Sequence, residues 1–334
     1  MKNQTNITVI PGDGIGPEIV SSVTQIIDSL DLKLTWDYVT AGKTSLEDSG
    51  ELIPQIVYHS INQNKIALKG PIETPIGKGF RSVNVSLRQQ YDLYTNLRPI
   101  RSLKNDRYSN IDLIIFRENT EGLYIGLEKN IDKDTVHATK LVTRSGCKRI
   151  IKEAFDFAVK HNRKKVTLVH KANILKLADG MFLEIGRALS KEYPDIEFED
   201  VIVDNMCMQL VLDPNQFDVI VAQNLYGDIL SDLCAGLVGG LGTVPGANIG
   251  TDIAIFEAVH GTAPDIAGKN LANPTALLLS ACMMLEHLEY FEASNDIRKA
   301  LDKMFQEKLL TKDLGGNLST SDFTSQMIGF IKNT

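Results

Sequence analysis

Short apolar runs alternate along this chain with longer stretches in which apolar residues recur every three or four positions. The short runs, rich in Val, Ile and Leu, predict strands over residues 7–10, 34–39, 65–69, 111–117, 166–170, 197–203 and 219–222. The longer ones predict helices over 17–30, 53–63, 148–161, 175–191, 225–237, 274–290 and 296–308. Strand followed by helix, repeated, predicts an α/β protein with a largely parallel sheet. Residues 122–144 fit neither period. They are rich in Thr, Lys and Asp and read as an inserted arm.

Composition narrows this picture. A chain of 334 residues with 43% hydrophobic and 23% charged residues is an ordinary soluble globule, long enough for two domains. No apolar run approaches the roughly 18 residues of a membrane span, so no membrane partner is expected. The polar start runs directly into the first strand, so no signal peptide is expected. Cys147, Cys207, Cys234 and Cys282 have no CxxC spacing and read as buried thiols, not as disulfides or a zinc site. Together these features predict a cytoplasmic protein. The net charge of −7 argues against nucleic acid as a partner but leaves room for a locally basic site for a small anion.

The stretch 9–20, VIPGDGIGPEIV, comes close to a phosphate-binding loop. The dinucleotide fingerprint needs G-x-G-x-x-G; here Gly16 comes one place early and Pro17 follows. Other segments carry clearer chemistry. Asp228 and Asp232, in NLYGDILSD, share a helical face after a strand, a placement suited to a hard divalent cation. The plain alternative is a helix cap and a solvated carboxylate. Asp204 ends the run EDVIVD and offers a third carboxylate. Arg88, Arg98 and Arg117 lie at strand or helix ends, and their planar forks suit a polycarboxylate; Arg88 follows Asn84 by one helical turn. Lys171 ends a strand and can anchor an anion or act as a base. Tyr124 follows the turn RENTEG, where packing is the plain reading. The segment 256–274 mixes Gly, Pro, Asp and Asn and reads as a long ordered loop before a helix, with His260 within it.

Five segments in order, PGDGIGPE, RENTEGLY, HKANI, NLYGDILSD and HGTAPDIAGK, resemble the β-decarboxylating dehydrogenases, the family of isocitrate, homoisocitrate and 3-isopropylmalate dehydrogenases. The resemblance covers nearly the whole chain and is closest to NAD-dependent isocitrate dehydrogenases. It implies a two-domain α/β fold with a mixed sheet, not a Rossmann fold. The large domain would take residues 1–93 and 239–334, the small domain 94–121 and 144–238, and a dimer clasp arm 122–143. The implied reaction is oxidative decarboxylation of isocitrate to 2-oxoglutarate and CO2, the step of the tricarboxylic acid cycle.

The same resemblance assigns residues. Tyr124 and Lys171 would be catalytic. Thr74, Ser82, Asn84, Arg88, Arg98 and Arg117 would bind substrate, with TPIGKGFRSVNVSLR marking an isocitrate enzyme. Asp204, Asp228 and Asp232 would hold Mg²⁺ or Mn²⁺. Ile15, Glu257, His260, Gly261, Thr262, Ala263, Asp265, Ile266 and Asn273 would bind NAD, with Asp265 accepting from a ribose diol and repelling a 2′-phosphate. Lys171 and Asp204 would serve the partner subunit's site, which implies a homodimer or higher oligomer. The alternatives are a 3-isopropylmalate or homoisocitrate dehydrogenase, or a non-catalytic regulatory subunit of a hetero-oligomer.

Overall fold

A computed structural model describes residues 4–73, 82–103 and 108–333, which divide into two compact units. The first unit comprises residues 1–87, 239–247 and 251–334; the second comprises 88–238 and 248–250.

The chain opens with β1 (Thr5–Ile10), whose Ile7, Val9 and Ile10 are fully buried. A turn leads into α1 (Gly16–Asp28), where Pro17 sits in the first turn, the position at which a missing N–H costs nothing. The helix buries Ile19, Val20, Val23, Ile26 and Ile27, one apolar stripe of helical period. Then come β2 (Leu34–Tyr38), α2 (Lys43–Ser49), α3 (Gln55–Asn64), β3 (Ile66–Lys69) and α4 (Val83–Gln90).

The second unit continues with β4 (Thr95–Arg101), β5 (Asp112–Glu118), β6 (Glu128–Asn130), β7 (Val136–Ala138), α5 (Arg144–Lys160), β8 (Lys165–His170), α6 (Ala178–Leu189), β9 (Glu197–Ile202), α7 (Val203–Leu212), β10 (Val219–Ala222) and α8 (Asn224–Leu237). The chain ends with β11 (Pro245–Ile249), β12 (Ala254–Ala258), α9 (Thr275–His287), α10 (Phe291–Gln306) and α11 (Thr320–Lys332).

In the first unit, β2, β1, β3 and β12 lie side by side and parallel. Every residue of α9 from Thr275 to Leu285 is buried, as expected of a helix that is apolar all round. Each such Leu or Met taken out of water contributes about 1.5–3 kcal/mol. In the second unit the order is β4, β5, β10, β8, β9. The β4–β5 pair is antiparallel and the rest parallel, so this sheet is mixed. The irregular stretch forms an antiparallel ribbon, β6 with β7, whose side chains are exposed.

Two expectations are corrected. Asp204 does not end a strand: β9 stops at Ile202, and Asp204 lies in the first turn of α7. No glycine or proline separates the two elements, so the apolar run passes from strand to helix without punctuation. Phe256 and Glu257 belong to β12, and the loop begins after Ala258.

Candidate active site

The second unit gathers opposite charges at the carboxyl end of β5 and along α8. Arg117, next to the last residue of β5, is buried. Its Nε and Nη2 donate to Asn224 Oδ1 at 3.1 and 2.8 Å, and its Nη1 pairs with Asp228. Arg98, on β4, is buried as well. Its Nε donates to Asn96 Oδ1 at 2.7 Å, its Nη1 reaches Ser231 and lies 3.4 Å from Asp232, and its Nη2 is 3.6 Å from Asp228. Asn224, Asp228, Ser231 and Asp232 recur on α8 at three- and four-residue spacing, so one face presents all four. Gly227 lets that face approach: a Cβ there would stand 2.7 Å from Arg117 Cβ.

Tyr124 lies in a short 3₁₀ turn, 123–125, and its hydroxyl donates to Asp228. The Arg117 guanidinium sits 5.0 Å from the Tyr124 ring centroid. The electrostatics follow from this crowding. Burial lowers Arg117 to about 10, and the neighbouring cations Arg88 and Arg98 add to the effect while Asp228 opposes it. Burial pushes the Asp228 carboxyl up, but Arg117, the Tyr124 hydroxyl, Arg98 and Arg88 outweigh it and keep it below its ordinary value. Burial raises Tyr124, and its bond to Asp228 raises it further, so the phenol keeps its proton through neutral pH.

Lys171 follows β8 directly. Its N–H donates to Asp179 Oδ2 at 2.7 Å and its Nζ pairs with Asp204. That bond lowers the exposed Asp204 carboxyl. Among the described residues no three His, Cys, Asp or Glu side chains converge on one metal position. Asp228 and Asp232 stand together; Asp204 does not join them within one chain. Ser82 and Asn84 lie at the start of α4, where the Asn84 Oδ1 is buried without a hydrogen-bond partner. Thr74 is outside the described residues.

The first unit carries the second constellation. Glu257, on β12, pairs with Lys69 at 2.6 Å, both buried. The loop that follows carries His260, Gly261, Thr262, Ala263, Asp265, Ile266 and Asn273. His260 Nδ1 lies 3.0 Å from the Gly261 carbonyl oxygen, while its Nε2 is buried with no partner. Burial lowers His260, Lys69 adds to this, and the Gly261 carbonyl and Asp313 offset only part. Asn273 Nδ2 donates to Asp313 Oδ2 at 3.0 Å, and Asp265 is exposed. The side chain of Ile15 is buried, and its N–H donates to Thr262 O at 2.9 Å.

Sequence reasoning missed Asn224, Ser231 and Asp179. The first two stood in the quoted NLYGDILSD at helical spacing from Asp228, which was the available signal. Asp179, wholly buried beside Lys140 and the Lys171 N–H, gave none.

The sequence profile described as isocitrate/isopropylmalate dehydrogenase matches residues 6–328. The chain belongs to this family.

A solved isocitrate dehydrogenase from Methylococcus capsulatus superposes with a TM-score of 0.95 at 49% identity, over 98% of this chain and 99% of that one. A Drosophila melanogaster protein, named as the probable alpha chain of mitochondrial NAD isocitrate dehydrogenase, is 49% identical over 96% of this chain and 86% of its own. A Dictyostelium discoideum protein, named as a regulatory chain of mitochondrial NAD isocitrate dehydrogenase, is 50% identical over 96% of this chain and 90% of its own. The α/β fold expected from the resemblance is therefore that of an isocitrate dehydrogenase, and the curated relatives named above are chains of NAD-linked isocitrate dehydrogenases. The cytoplasmic expectation is corrected. These curated relatives are mitochondrial by name, and a set of unpaired thiols does not distinguish one reducing compartment from another.

Proposed function

We propose that this chain is a catalytic NAD-dependent isocitrate dehydrogenase, converting isocitrate to 2-oxoglutarate and CO2 with Mg²⁺ or Mn²⁺. The observation that carries the reading is the cluster of Arg98, Arg117, Tyr124, Asp228 and Asp232. Two buried guanidiniums suit the carboxylates of a tricarboxylic acid. A protonated phenol beside them can deliver a proton. The two α8 carboxylates are hard oxygen donors, Asp228 held ionised by its surroundings, and such a pair fits a divalent ion. The orphaned His260 Nε2 and the Asn273 amide fit the adenosine half of a dinucleotide, and the exposed Asp265 carboxylate disfavours a 2′-phosphate.

A divalent ion held by Asp228 and Asp232 would supply Lewis-acid polarisation, and NAD held on the 260–273 loop would supply a hydride acceptor. The chain's own residues do the rest. Arg88, Arg98 and Arg117 orient the substrate, and Ser82, Asn84 and Thr74 meet the carboxylate that an isopropylmalate lacks. A site built for polar contacts to a third carboxylate rejects an apolar analogue strongly. Lys171 helps remove the 2-hydroxyl proton. Tyr124 protonates the carbon from which CO2 departs.

Lys171 and Asp204 act in a second copy's site. Their mutual pair lies towards solvent, and α7 and α8 expose the apolar side chains Met208, Val211, Leu212 and Ile229. The homodimer is thus the smallest active unit.

A regulatory, non-catalytic role is the second reading, favoured by the name of the Dictyostelium relative. One assay tests both: the purified chain alone with isocitrate, 3-isopropylmalate or homoisocitrate, Mg²⁺ or Mn²⁺, and NAD or NADP. Turnover of isocitrate with NAD supports the proposal. No turnover of any acid, with a folded chain, supports the regulatory reading.

A further inference from the structure

The loop carrying His260 to Asn273 is held at both ends by residues 14–18. At its near end Ile15 N–H donates to Thr262 O at 2.9 Å. Gly14, at φ +61°, makes this approach possible, because a Cβ there would collide with the same carbonyl. At its far end the Glu18 carboxylate, in the first turn of α1, accepts from Ala272 N at 3.0 Å and from Asn270 N at 3.3 Å. The Thr320 hydroxyl, opening α11, shares its one hydrogen between Glu18 Oε1 and the Ala272 carbonyl oxygen, the latter at 2.7 Å. Asn270 is pinned again by Thr320 N–H and Ser321 N–H, at 3.1 and 2.9 Å.

We propose that Glu18 is a positioning residue for the dinucleotide. It fixes the exit of the loop, one residue before Asn273, so that Asn273 and His260 present their polar atoms in a fixed geometry. This rests on the NAD reading above. The physical basis is the strength of a carboxylate as acceptor of backbone N–H groups, together with the gain in affinity when a binding loop is ordered beforehand. The segment PGDGIGPE, which fails as a phosphate loop, thereby has a nucleotide role after all: it is the brace of the loop that grips the nucleotide.

The test uses the full chain with Glu18→Ala, Glu18→Gln and Thr320→Val. NADH binding is followed by nicotinamide fluorescence, with KM for NAD and for isocitrate measured separately and folding checked by thermal melt. Losing charge-assisted bonds should raise the NADH Kd and the NAD KM about tenfold in Glu18→Ala, and by a smaller factor in the other two. The isocitrate KM should move less than about twofold, since only the nucleotide loop loses its support. An unchanged NADH Kd in folded Glu18→Ala, or an equal rise in both KM values, overturns the proposal. If Glu18→Ala does not fold, Glu18→Gln decides on the same readout. A folded wild-type chain that does not bind NADH fails in a different way: it removes the NAD reading and this proposal with it.

Discussion

Tyr124 is the residue whose chemistry is most constrained by its surroundings. Its hydroxyl donates to Asp228, and burial and that bond both raise its pKa. A phenol kept protonated beside the Arg117 guanidinium is a suitable acid for the carbon left by CO2. Tyr124→Phe should therefore lower kcat by about 10²–10³ with little change in the KM for isocitrate, as removal of a general acid does. Steady-state rates at saturating NAD check this. His260 allows a prediction on stability. Its folded pKa is below the ordinary 6.5 because burial penalises the charged ring. The native state thus binds fewer protons than the unfolded one in that window. Stability from this group is complete above about pH 6.5 and is lost as pH falls through the folded value. His260→Gln should flatten that decline, seen as a smaller drop in Tm from neutral to mildly acid pH. Both side chains were legible as candidates, and only the family resemblance gave them roles. A lone tyrosine after a turn and a lone histidine in a loop are ordinary packing residues until their surroundings are seen, and Asp228, which fixes Tyr124, lies far along the chain.

Among the elements, α8 determines the site. It places Asn224, Asp228, Ser231 and Asp232 on one face, and it seats close to β5 because residue 227 has no Cβ. Gly227→Ala introduces a carbon 2.7 Å from Arg117 Cβ, closer than side chains pack. Either α8 shifts or Arg117 turns, and the Arg117–Asp228 pair opens. We expect a lower Tm and an isocitrate KM raised about tenfold, with the NAD KM unchanged because the nucleotide loop lies in the other unit. Separate titrations of the two substrates check it. The helical faces of α1, α5 and α8 were readable from period alone, and so was the parallel strand–helix alternation. The strand β4 was not, because Arg98 and Pro99 interrupt its apolar pattern. The helix α7 was lost in the unbroken apolar run from β9. The helix α11 was missed although Ser319 and Asp322 form a capping box that announces it.

At the scale of the whole molecule one pair of groups is proposed to serve a second copy of the chain. Lys171 and Asp204 bond to each other, apart from the arginines and the α8 carboxylates, yet the family resemblance gives them catalytic and metal roles. Periodicity could not reveal this, because nothing in one sequence says which copy a side chain serves. Sharing between copies makes a sharp prediction. Tyr124→Phe and Lys171→Met homodimers should each be nearly inactive, since every site lacks one group. In a hybrid, the site built on an intact Tyr124 from one copy receives the intact Lys171 of the other. The second site lacks both. Random pairing at equal expression makes half the dimers hybrid, each with one working site, so about a quarter of wild-type activity should return. The experiment is co-expression of the two variants, with each variant expressed alone as control and dimerisation followed by light scattering. If Lys171 served its own chain, every site in every dimer would lack either its tyrosine or its lysine, and activity would stay at the level of the single variants. Recovery would therefore demonstrate shared sites and, with them, that the dimer is the catalytic unit.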